Sequence, residues 1–250
     1  MKKFELTAEF VTNIFGKKLF RIKALVAFGN VEKGALGGFI EKEDNLSHSG
    51  DAWVYGNAHV YGDAQVSGDA RVYGDAQVSG DARVSGNAQV YGDARVSGNA
   101  QVYGDARVSG NAQVYGDARV SGDAQVSGNA RVSGDAQVSG NARVSGDAQV
   151  SGNAWVSGNA WVSGNARVYC DADYAVVTGF GHCFRTTTFF RCNDKTLRVQ
   201  CGCFYGDLAQ FREIVKKTHG DSKYAKEYLA IADLMKLHLS GEEEKQEATE

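Results

Sequence analysis

All five cysteines of this chain and two of its five histidines fall between positions 170 and 219: Cys170, His182, Cys183, Cys192, Cys201, Cys203 and His219. Thiols and imidazoles are ligands that zinc favours, and a cysteine beside a histidine is the minimal nucleophile and base. The spacing argues against both. Cys201-Gly202-Cys203 is a single C-x-C without a matching C-x-x-C pair, and no third side chain is placed to orient a Cys–His pair. On a strand, Cys201 and Cys203 share a face with Leu197 and Val199, so buried core thiols are the simpler reading. Cys201, Cys203 and His219 are the set to watch for a metal, but no metal or other cofactor is expected, and no catalytic residue is assigned.

Arg185-Thr-Thr-Thr-Phe189 suggests other chemistry. In a strand, Arg185 and Thr187 face away from Phe184, Thr186 and Thr188. They would offer a guanidinium fork and a hydroxyl to an anion. His182 lies just before this strand, and His219-Gly220 falls between two predicted helices. His182, Arg185, Thr187 and His219 are therefore the binding candidates of the C-terminal region.

The elements that must position them follow from pattern. Residues 175–180, 184–192 and 196–204 read as strands, the last two joined by Asn193-Asp-Lys. Asp207 with Gln210 three residues on is a helix N-cap signal, for a helix to Thr218 with Leu208, Phe211 and Val215 as its apolar stripe. A second helix over 223–239 puts Tyr224, Tyr228, Ile231 and Met235 on one face. This is a small β-β-β-α-α domain over 170–240. The residues after it, 241–250, read as a disordered acidic tail.

Residues 50–169 are twenty consecutive hexads of Gly-(Asp/Asn)-Ala-x-Val-(Ser/Tyr), without one insertion. Ala and Val alternate with x, the signature of a short strand with one buried face. Gly followed by Asp or Asn supplies a corner between strands. Units this short bury their apolar face only by stacking, so the tract should wind into a solenoid. The chain has no proline, which suits interior strands that must all donate hydrogen bonds. The x position alternates Gln and Arg from Gln65 to Gln149. With three hexads per coil, residues 18 apart stack, and each Arg then lies between two Gln on its own face. Two hexads per coil would stack Arg on Arg, so the triangular coil is favoured.

Aromatic residues mark the tract's ends. Tyr55, Tyr73 and Tyr91 are 18 apart and should form a ladder. Trp155 and Trp161 sit at outward x positions on adjacent faces, as Trp53 does at the start, which suggests contact with a cap or with another subunit. The open ends of a solenoid are raw sheet edges that need covers. Residues 1–49 read as the first cover: a hairpin with Phe4, Leu6, Ala8 and Phe10 alternating before a turn and Phe20, Ile22 and Ala24 after it, then an irregular first coil.

The hexads resemble the left-handed parallel β-helix of hexapeptide-repeat proteins, in which an aliphatic residue is followed four positions later by a small one, as Val54 is by Ala58. Handedness and a prism of about 6.7 coils, roughly 32 Å long, are what that resemblance implies. Many such proteins are trimeric CoA-dependent acyltransferases with a general-base His near a subunit interface and a projecting loop. Here the repeat's one His is His59, His48 lies in the irregular coil, and no loop interrupts the hexads. The whole chain also resembles a group of repeat proteins common in bacteriophages and prophages, some labelled acetyltransferases. That resemblance rests on Ala27-Phe-Gly-Asn-Val31, Gly37-Gly-Phe-Ile-Glu-Lys-Glu-Asp-Asn-Leu-Ser47, the Gly-Asp-Ala repeats, Cys201-Gly-Cys-Phe-Tyr-Gly206 and Thr218-His-Gly-Asp221.

The expected fold is thus a mainly β, left-handed triangular β-helix with an N-terminal hairpin cap and a small C-terminal α+β domain. A net charge of −3 argues against phosphate-neutralising nucleic-acid binding, and no apolar run approaches a membrane span. An odd cysteine count and charges through the first ten residues argue for reduced thiols in a cytoplasm. Three functions are weighed. The first is a non-catalytic interaction protein, a homo-oligomer (trimer or dimer) whose rod presents the C-terminal domain to a host or phage protein or to a small anionic ligand such as a host nucleotide signal. The second is an acyltransferase. The third, a flat-faced ice-type binder, fits poorly because its rows would be flexible Gln and Arg.

Overall fold

A computed structural model describes residues 2–239; the expected acidic tail at 241–250 lies outside the described residues. The chain begins with an antiparallel hairpin, β1 (Phe4–Thr12) and β2 (Lys18–Ala24), followed by β3 (Leu36–Ile40). The alternation expected here is interrupted by a bulge between Leu6 and Phe10, and Ala8 and Phe10 are exposed. Strand β2 pairs antiparallel with β3, and β3 pairs parallel with the solenoid through Phe39↔His59 and Ile40↔Val60. The β3 strand therefore turns the cap's antiparallel pairing into the parallel pairing of the coils.

Each x–Val dipeptide of the hexads is a two-residue strand, from β4 (Trp53–Val54) to β23 (Arg167–Val168). They form three parallel sheets, one per face of a triangular solenoid. Register runs 18 residues apart throughout, as in Arg71↔Gln89, Gln89↔Arg107 and Arg107↔Gln125. Arg thus meets Gln above and below it, as the alternation required. Every Ala and Val of the hexads is buried in one continuous core. At the corners glycine is obligatory: Gly86 has φ +65°, and a Cβ there would lie 3.0 Å from the backbone of Gly104 in the next coil. Asx residues beside these corners also form ladders, with Asn87 donating to Asp105 at 3.0 Å and Asn99 to Asp117 at 2.8 Å.

Beyond the solenoid lies a four-stranded antiparallel sheet, β24 (Tyr174–Phe180), β25 (Arg185–Arg191), β26 (Leu197–Cys201) and β27 (Phe204–Asp207), followed by α1 (Leu208–His219) and α2 (Lys223–Leu239). The sequence expectation of three strands is corrected here. Gly202 (φ +60°) breaks the predicted 196–204 strand into a tight hairpin, in which Cys201 pairs with Phe204. Helix α1 starts where expected: Asp207 accepts from the Gln210 N–H at 2.8 Å, and the Gln210 side chain accepts in return from the Asp207 N–H at 3.0 Å. The inward face of α2 is Ala225, Tyr228, Ala232, Met235 and Leu239, with Tyr224 and Ile231 on its flanks.

Candidate functional site

Strand β25 decides what the C-terminal unit can offer. One face of its sheet packs on the last coils, where Phe190 and Cys192 join the solenoid core. The other packs under the helices, where Phe189 and Val199 form a second core with Phe211, Tyr228 and Met235. A strand between two layers has no solvent face. Thr187 is consequently buried, its hydroxyl donating to the Cys201 sulfur at 3.2 Å. The expectation that Thr187 offers a hydroxyl to an anion is overturned, because the face it shares with Arg185 lies under α1 and α2. Only at the strand's start does Arg185 reach solvent.

There Arg185 lines a cleft of about 370 Å³ together with His182, Cys183, Cys201, Cys203, His219 and Tyr228, walled by Phe204, Phe211, Ile214 and Val215. Three segments of the chain thus bring His182, Arg185, His219 and both C-x-C thiols to one place. The imidazoles are held by α2: His182 meets Tyr224 edge-on at 5.5 Å, and His219 lies 5.8 Å from the Tyr228 ring. Burial, with Cys201 beside it, pushes the Tyr228 phenol up to about 12, so it stays protonated at neutral pH. Among the described residues no three His, Cys, Asp or Glu side chains are grouped closely enough to hold a metal. Cys201 packs partly against the helical core, but Cys203 is exposed at the β26–β27 turn. The strand alternation that would have buried both thiols stops at Gly202. Burial raises the pKa of the one fully buried thiol, Cys192, to about 11. At the β24–β25 tip Phe184 is 71% exposed with φ +49°, a conformation costly for a bulky residue.

A second cleft, also about 370 Å³, opens where the last coil meets this unit and shares Arg185. Trp161 lines it with Arg143, Asn141, Asn159, Thr186 and Gln200. The Trp161 N–H donates to Thr188 Oγ1 at 3.0 Å, its indole N–H to Ser145 Oγ at 3.3 Å, and the Arg143 guanidinium stands 5.7 Å from its ring. Trp155, on the adjacent face, is 53% exposed; its indole N–H donates to Ser139 Oγ at 2.9 Å, and its carbonyl accepts from the Tyr174 hydroxyl. Trp53 is the opposite case, 1% exposed beneath Phe4 and Phe28 of the cap. In the tyrosine series Tyr73 and Tyr91 stack parallel at 4.9 Å, while Tyr55 packs into the core beside the cap.

Two further histidines, His48 and His59, serve the N-terminal cap. His48 stacks on Phe4 at 4.3 Å and its Nδ1 accepts from the Lys3 N–H at 3.2 Å. His59 is half-buried edge-on to Phe39, and that burial lowers its pKa. A larger open groove of about 960 Å³ runs past Arg167, Arg191, Lys195 and Lys236, but of the sequence candidates for chemistry it takes only Cys170 and Cys192. Sequence reasoning missed Arg143, hidden as one repeat arginine among many, and Tyr228, read as a core residue. It also missed Phe184, whose exposure no local pattern signals.

Eight stretches, 64–78, 76–88, 88–101, 100–114, 112–125, 124–138, 136–148 and 148–164, match the model of the YdcK beta solenoid repeat. The match covers most of the hexads and leaves the N-terminal cap and the C-terminal sheet and helices outside it. No curated protein matches the chain.

Proposed function

We propose that this β-solenoid repeat protein is a non-catalytic interaction protein, a rigid oligomerising rod that presents its C-terminal unit to a protein partner. The observation that carries the reading is the convergence of His182, Arg185, Cys201, Cys203 and His219 on one apolar-walled cleft. Exposed Phe184 and Ile214 stand at or near its rim. An apolar anchor ringed by Arg and His is the composition of a partner-binding patch. The rod supports it by its regularity: its 18-residue register leaves no projecting loop to build an acyl-CoA site, and His48 and His59 are committed to cap contacts. In the phage setting that the sequence resemblance implies, the partner is a host or phage protein in the bacterial cytoplasm. Fold likeness to acyltransferases carries no activity by itself.

The test is affinity capture from host lysate with the full chain. Phe184→Ser and His219→Ala should lose the captured protein, whereas Arg107→Ala on the rod should keep it. Equal capture by the cleft variants, or acetyl-CoA turnover by the purified chain, would contradict the reading.

A further inference from the structure

We propose that the junction cleft beside Trp161 binds a planar aromatic anion, of which a nucleoside monophosphate is the simplest form. This goes beyond the scaffold reading and does not depend on it. The unpaired cations come first. In the C-terminal unit Arg191, Arg198 and Arg212 each have a carboxylate partner: Asp173, Asp194 and Asp233. Among the described residues Arg185 has none, and Arg143, like the other repeat arginines, has none either, its contact being the Trp161 ring. Two guanidinium forks without a carboxylate, both lining one cleft, suit a phosphate, which they can hold through paired N–H donors.

The second observation is a break in the repeat. Along this face the column runs Gln89, Arg107, Gln125, Arg143, and the next position holds Trp161 where the alternation would continue with Gln. That indole is fixed before any ligand arrives, by Thr188 on its backbone and Ser145 on its ring nitrogen. A preset aromatic face binds a flat ring without first losing rotamer entropy.

The third is the polar edge. Asn141 Nδ2 donates to Asn159 Oδ1 at 3.2 Å, which leaves the Asn159 amide N–H groups and the Asn141 carbonyl as a donor and acceptor for the edge of a base. Gln200 closes the floor, accepting from Ser163 Oγ at 3.2 Å and donating to the Gly202 carbonyl at 2.8 Å. The volume, about 370 Å³, is that of a small-molecule site. The chain's charge of −3 favours a ligand with few phosphates over an extended polyanion.

The test is calorimetric titration of the full chain with AMP, GMP, CMP and UMP, and with ribose 5-phosphate and the four nucleosides as fragments. At least one monophosphate should bind with a Kd below about 1 mM. Ribose 5-phosphate, which lacks the ring, and the matching nucleoside, which lacks the phosphate, should bind at least about tenfold more weakly. Arg143→Ala and Trp161→Ala line only this cleft and should each cost about tenfold or more, while leaving capture of a protein partner intact. Arg185→Ala, at an exposed side chain, should do the same to the nucleotide if Trp161→Ala does not fold. No binding by any monophosphate would overturn the proposal. So would fragments that bind as tightly as the whole, or an unchanged affinity in Arg143→Ala and Arg185→Ala.

Discussion

The two ends of the solenoid face the same problem with opposite polarity. On either side of each valine the bonds run forward, as Arg71 N–H to the Ala88 carbonyl at 2.9 Å and Tyr73 N–H to the Val90 carbonyl at 3.0 Å. At these positions the first coil therefore presents carbonyls to the N-terminal cap, and the last presents N–H groups to the C-terminal unit. At the first rim the covers are donors. Lys3 Nζ donates to the Gly50 and Ala52 carbonyls at 3.1 and 2.9 Å, and Asn45 Nδ2 to those of Gly62 and Ala64 at 3.0 and 2.9 Å. On the third face β3 lends its backbone, Phe39 N–H to Ala58 and Glu41 N–H to Val60. At the last rim the N–H groups meet acceptors: Asp171 for Trp155, Thr188 for Trp161, and Asp173 for Tyr169 and Cys170, while the Trp155 and Asn165 carbonyls take donors from Tyr174 and Asn193. A buried polar group left without a partner is costly, so each rim selects the cap side chains its polarity requires. The ends differ in a second way. The N-terminal cap seals its tryptophan, whereas the C-terminal unit leaves Trp155 and Trp161 open to clefts.

That contrast can be broken most strongly at the tryptophans. Trp53→Ala should lose about 3–5 kcal/mol in urea unfolding, the cost of emptying a packed aromatic site. Trp155→Ala, half exposed, should lose less than about 1 kcal/mol. Comparable losses would mean that the ends are sealed alike. Next in size is the rim chemistry. Lys3→Ala strands two carbonyls and should cost about 1–3 kcal/mol, and Thr188→Val strands one N–H and should cost about 1 kcal/mol. The smallest expected effect is a pH dependence at the N-terminal end. Burial alone would raise the pKa of Glu41, but the Gly62 N–H and the Lys17 ammonium outweigh it and hold the carboxyl below its ordinary 4.5. A depressed folded pKa adds stability above the ordinary value that is lost as pH falls through the lowered one. Acid should therefore loosen the hairpin cap, seen as faster amide exchange in β1 and β2, and Glu41→Gln should weaken that dependence, with Glu43, which Lys2 holds low, keeping part of it. Amide exchange in β1 and β2 that does not rise with acid, or rises as much in Glu41→Gln, would contradict this assignment.

Much of the fold was legible in the hexads, because their information is local and repeated. Val and Ala alternate, Gly and Asx punctuate, and the Gln–Arg alternation states the three-hexad coil. The Asp207–Gln210 capping box was legible for the same reason. What escaped was non-local. Lys3 and Asn45 read as ordinary polar residues, since the carbonyls they cover lie 47–49 and 17–19 positions away. The clefts were half legible. The residue types of His182, Arg185 and His219 flagged them and the structure brings them together. Thr187 misled because strand periodicity says which residues share a face but not whether that face is covered. Trp161 was flagged for its type and position, whereas Arg143 gains its meaning only from the indole stacked one coil above it.

The most direct test of rim polarity is equilibrium unfolding of Asn45→Asp beside Asn45→Ala at neutral pH. Aspartate is nearly isosteric with asparagine but turns a carboxylate oxygen toward the Gly62 and Ala64 carbonyls that now accept from an amide. Polarity matching predicts that Asn45→Asp is the less stable of the two, by about 1 kcal/mol or more. If Asn45→Asp is as stable as Asn45→Ala or more so, the rims do not select their caps by polarity.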